Sequence, residues 1–152
     1  MAQNAAGFVS IADLGYAPVL ITGRAIAAMS GGQVVYAGSQ AAPVSSGANS
    51  FDPTTDIWFN APASGTNYPV GVCVTKTAAS GADVAVCLKG LVLMYADGAI
   101  VPGQYVGAVN GAHAVTAIGS QDNPVVALTR KIGRAFTSAG SEQYCLVGVD
   151  VL

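Results

Sequence analysis

The sequence predicts an all-β protein: a small β-barrel or β-sandwich with an extended N-terminal arm and one long loop insertion. Three observations carry this. Valine-rich stretches alternate with period 2, most clearly in Val70–Val74 and Val84–Leu88. Turn dipeptides recur between them: Asp97-Gly98, Pro102-Gly103 and Asn110-Gly111. Glycine is abundant at 19 residues, and Glu142 is the only glutamate, whereas surface helices use Glu and Lys heavily.

In chain order, residues 1–23 read as the arm. Phe8, Val9, Ile11, Leu14, Tyr16, Val19, Leu20 and Ile21 are apolar, but small residues and Pro18 break every period. Such a stretch is either an edge strand with a loop or an arm that lies on a partner. Residues 24–152 form a single β domain. Arg24–Met29 fits one helical turn or a strand, and Gln33–Tyr36 a short strand. The excursion 39–67 is rich in Ser, Ala, Pro, Asn and Gly. It carries Phe51, Trp58 and Phe59, which either fold back onto the domain or contact a neighbouring subunit or a ligand.

Gly71–Gly90 is the clearest hairpin. Pairing valine with valine requires an even register sum and places Cys73 opposite Cys87, on the face away from the valines. A cross-strand disulfide is possible there, but reduced cysteines packed as small hydrophobes are favoured. Gly81 is placed to take the positive φ of the hairpin exit. Leu91–Tyr95 follows as a strand buried on both faces. Gln104–Val109 and Ala112–Ile118 flank Asn110-Gly111 as a second hairpin. Asn123-Pro124 opens a short strand, Val125–Thr129, and Ile132–Thr137 pairs with Tyr144–Val151. Seven to ten short strands result.

The bulk composition narrows the function classes. Charged residues are 9% against about 25% in a typical soluble domain. So few charges imply a surface largely covered by other subunits. The net charge of −2 gives no nucleic-acid footprint, and no apolar run is long enough to cross a membrane as a helix. The N-terminus lacks the pattern of a secretory signal, and three cysteines without framework spacing fit a protein made in a reducing cytoplasm. Nothing calls for a cofactor or metal, and no catalytic constellation is visible. His113 stands alone beside a turn, and a zinc set with Cys73, Cys87 and Cys145 lacks any CxxC spacing. Arg130, Lys131 and Arg134 form the one basic cluster, either a solvated strand end or a docking point for an acidic protein surface.

A resemblance rests on an ordered set of residues. Gly71-Val72 opens a strand and Gly81 precedes Val84–Gly90. Asp97-Gly98, Pro102-Gly103 and Asn110-Gly111 follow, and then Lys131-Ile132-Gly133-Arg134-Ala135-Phe136 before a β-ending C-terminus. In this order the chain resembles the small capsid decoration, or cement, proteins of tailed bacterial and archaeal viruses. The match spans roughly Val70 to Leu152 and leaves Ser39–Asn67 as an insertion. The resemblance implies a compact β-barrel-like domain on the outside of an icosahedral shell, commonly a homotrimer. It locks neighbouring subunits of the major capsid protein together, often through an N-terminal arm. Phe8, Val9, Ile11, Leu14 and Tyr16 would then contact the capsid, together with Arg130, Lys131 and Arg134. The expected role is a non-enzymatic virion protein, made in the host cytoplasm and placed on the capsid exterior. The alternative is a virion fibre, receptor- or carbohydrate-binding β module that uses the Phe51/Trp58/Phe59 loop.

Overall fold

The computed structural model describes residues 18–38, 57–60, 68–75, 77–109, 114–119 and 123–151. Of the expected features, most of the arm, the excursion apart from residues 57–60, the Asn110-Gly111 turn and His113 lie outside these residues.

The chain is all-β, as its alternation predicts. The strands among the described residues are β1 (Val19–Ala25), β2 (Met29–Ser30), β3 (Val34–Ala37), β4 (Trp58–Asn60), β5 (Pro69–Cys73) and β6 (Thr77–Ala78). They continue with β7 (Asp83–Ala96), β8 (Tyr105–Ala108), β9 (Ala114–Ala117), β10 (Lys131–Ala135) and β11 (Tyr144–Asp150). The 14-residue β7 is the axis. Along its second half it pairs with β11 on one edge and, through Tyr95 and Ala96, with β9 on the other. Strands β11, β10, β8 and β9 then join in turn, which closes a five-strand barrel. Along its first half β7 pairs with β1 and β5, and β1–β4–β3–β5 return to it by further pairings. Val19–Gly23, read from sequence as the end of the arm, therefore belongs to β1 and runs antiparallel to β7.

Two apolar clusters fill this framework. The larger contains Val92, Met94, Val106, Val115, Ile132, Cys145 and Val147 from the barrel, and continues into Val34, Tyr36, Val72 and Cys87. The smaller contains Ala25, Val35, Phe59, Cys73, Val84 and Val86, closed by Met29 of β2 and Ala78 of β6. Each Val, Ile, Met or Phe side chain among them contributes roughly 1.5–3 kcal/mol on full burial.

The Gly71–Gly90 hairpin forms with its register shifted by one residue from the even-sum pairing. Val72 pairs with Cys87, and Cys73 with Val86. A one-residue slip exchanges faces. Cys73 therefore packs in the smaller cluster and Cys87 in the larger, and the two thiols point apart. The cause lies in the connection, which is not a tight turn. Thr77–Ala78 leaves the hairpin to pair with Met29–Ser30, and the Thr75 hydroxyl accepts the Ala85 N–H at 2.8 Å. Both faces of the hairpin are thus packed. Gly81 takes the expected positive φ, 78°.

All three cysteines are buried and free. Burial pushes the Cys87 thiol up to about 11 and raises Cys73 and Cys145 as well. A thiol held neutral by the fold stabilises it fully below its unfolded pKa of about 8.5. That contribution is lost as pH rises through the folded value. Urea midpoints are accordingly expected to stay level up to about pH 8.5 and to fall toward pH 11. Cys87→Ala should lower the whole curve and flatten its alkaline limb. A midpoint that rises over this interval would contradict the burial of these thiols.

Two further differences have local causes. Leu91–Tyr95 is not a separate strand buried on both faces. It continues β7, with Val92 and Met94 inside and Leu91, Leu93 and Tyr95 half-buried outside. Val125–Thr129 is not a strand but part of a short helix, α1 (Pro124–Arg130). Asn123 caps it by accepting the Val125 N–H at 3.0 Å, and Pro124 sits at its first turn. Asn-Pro is a helix-start signal that outweighs the β-branched run after it. The Pro102-Gly103 turn is present as expected: Gln104 N–H donates to the Val101 carbonyl, and Gly103 has φ 89°.

Candidate binding surface

The outer face of the barrel carries a groove of about 530 Å³ across β7, β11, β10 and β8. Lys131 and Arg134 are central to it. Three apart on a regular strand, they would point to opposite faces. The pairing of β10 with β8 shifts by one residue between Lys131 and Gly133, a β-bulge that brings both cations to the outer face. Both lie over the ring of Tyr105 in β8, Lys131 Nζ at 4.7 Å and Arg134 Cζ at 4.5 Å from its centroid. Arg134 Nη2 also donates to the Tyr105 hydroxyl at 2.6 Å. Each cation–π contact contributes roughly 0.5–1 kcal/mol at an exposed site. Together with the hydrogen bond they hold both charges at the Tyr105 ring.

Glycines shape the floor. A β-carbon on Gly148 would lie 2.6 Å from Cε2 of Phe136, so Phe136 can fold over the strand only because that position is bare. Phe136 remains exposed and forms an apolar wall with Leu91. Lys89 and Asp150 stand directly opposite each other on β7 and β11 at the far end of the groove.

Of the predicted site residues, the structure brings Lys131 and Arg134 together. Arg130 does not line the groove; it ends α1 and packs over β8 at Gly107. Phe59 is 2% exposed inside the smaller cluster. It is a core residue, because β4 inserts between β1 and β3 and turns its middle side chain inward. The three-ring contact surface of the excursion is corrected accordingly, and Trp58 is half-buried beside it. Phe8, Val9, Ile11, Leu14, Tyr16 and Phe51 lie outside the described residues. Tyr105, Phe136, Lys89 and Asp150 were not legible as site residues. The available signal was Gly133 inside a strand pattern, which marks bulges.

No helix among the described residues is long and apolar enough to cross a membrane, and no described group of His, Cys, Asp and Glu residues is placed to hold a metal.

No protein family matches the chain by its sequence profile, and no curated protein matches its sequence. Among solved structures, the fold is similar to the head fiber gp8.5 N base in bacteriophage phi29. The TM-score is 0.57 at 16% identity, covering 89% of this chain and 96% of that one. At that identity the likeness is one of fold.

Proposed function

We propose that the chain is a structural protein of a phage virion, placed on the outside of the head. The observation that carries this reading is the likeness of nearly the whole fold to a phage head-fibre base. The sequence resemblance to capsid decoration proteins points to the same part of the particle. In this reading the barrel is the rigid element, and the residues before β1 form an arm that bridges subunits of the major capsid protein. A homotrimer would multiply modest contacts, since linked sites bind with an effective concentration that can exceed any single affinity.

Removal of Ala2–Tyr16 is expected to abolish co-sedimentation with purified capsids of the virus that carries the protein. The barrel should stay folded, as reported by the fluorescence of Trp58, the only tryptophan. A truncated protein that sediments with capsids as the full chain does would sink the bridging role. The likeness to a fibre base also favours a second reading, in which the barrel anchors a longer fibre. Electron microscopy of decorated capsids separates the two: a compact knob supports the decoration role, and a projecting stalk supports the fibre role.

A further inference from the structure

We propose that the groove over β7, β11, β10 and β8 is a docking site for an acidic, extended polypeptide segment of a protein partner. Three observations define the occupant. The first is charge. Lys89, Lys131 and Arg134 line the groove with a single carboxylate, Asp150, which faces Lys89 across the strand pair, and none of the three cations has a described carboxylate within 4 Å. Toward β10 and β8 the groove presents two cations that are both held on the Tyr105 ring, away from Asp150 on β11. A planar guanidinium suits a carboxylate, which it can bind through two parallel hydrogen bonds.

The second is shape. The groove crosses four neighbouring strands, a span of about 14 Å, which is about four residues of extended chain. The third is the wall. Phe136 and Leu91 offer apolar surface next to the cations, so the segment that fits carries an acidic residue flanked by an apolar one. The Tyr105 ring is engaged by two protein cations, which disfavours it as a stacking platform for a sugar acid. That the partner is a virion protein rests on the function proposed above; the site itself does not.

The test uses the full chain and a short fluorescein-labelled peptide of alternating Glu and Leu, with its Gln-for-Glu counterpart, followed by anisotropy. The acidic peptide is expected to bind and the Gln peptide not to. Binding should weaken by about tenfold or more in the Lys131→Gln/Arg134→Gln double variant, which removes charge-assisted hydrogen bonds. It should also weaken between about 0.1 M and about 1 M salt, as screening shortens from about 10 Å to about 3 Å. Phe136→Ser should weaken it severalfold at constant charge. Trp58 fluorescence checks that each variant is folded. Equal binding of the two peptides overturns the proposal, as does unchanged binding by the double variant. Competition by sodium glucuronate at concentrations where free glutamate has no effect overturns it in favour of a sugar-acid site. If the wild-type chain ignores the acidic peptide yet sediments with capsids, the groove site is wrong and the virion role stands.

Discussion

Gly133→Ala is expected to open the barrel. A β-carbon at this position would fall on the backbone carbonyl of Gly148, with the carbonyl carbon 2.8 Å away. Both partners are strand backbone, so no side chain can rotate out of the way. The strain falls on the β10–β11 pairing, where Gly133 pairs with Val149 and Arg134 with Gly148. A loss of about 3 kcal/mol or more is expected, the upper end for overpacking. That is a large fraction of the roughly 5–15 kcal/mol that holds a domain folded. It would lower the Tm by about 6–12 °C in a chain of this length. Gly81→Ala is the informative comparison. Open space surrounds that position, and the cost is only the positive φ, about 1 kcal/mol. Thermal unfolding by circular dichroism checks the pair. A Gly133→Ala protein no less stable than Gly81→Ala would show that β10 and β11 do not approach as described.

Phe59→Ala is expected to cost about 3–5 kcal/mol, the range for removing a buried ring. Its ring lies so close to β1 that a β-carbon on Gly23 would be 2.7 Å from Cε2. The smaller cluster has few other large side chains to fill the space. A surface-contact role predicts the opposite, a stable variant with an altered binding partner. Urea unfolding followed by Trp58 fluorescence decides between them, since the reporter is the adjacent residue. An unchanged midpoint would show that the Phe59 ring is not part of the core.

Alternation and turn chemistry made the strands legible because both are local. Val34–Tyr36, Tyr105–Ala108 and Tyr144–Asp150 fall close to where period-2 patterning puts them. What escaped depends on events far along the chain. The face of Cys73 was set by Thr77–Ala78 leaving to pair with Met29–Ser30, about 47 residues away in sequence. Phe59 looked like a loop aromatic because nothing nearby shows that a three-residue strand slots between β1 and β3. Lys131 and Arg134 are visible as charges, but their convergence on Tyr105 needs a bulge that Gly133 signals and that the pairing with β8 places. The helix at Pro124 is the exception: its Asn-Pro start signal is local, and the valines that follow favour a strand by propensity alone.

The position of Lys89 bears on how the chain reaches its fold. Val19 pairs with it from one side and Asp150 from the other, so the first and last described strands meet at a single mid-chain residue. Until residue 150 has left the ribosome, the middle of β7 lacks one of its neighbours, and its backbone donors and acceptors are available for pairing with another chain. Loops of about 70 and 60 residues must close before either neighbour is gained, and that places folding in the slow, millisecond-to-second range of non-local β topologies. A shortened C-terminus would therefore leave nascent chains that pair with one another, and the fault would show as poor yield before it showed as a weaker barrel.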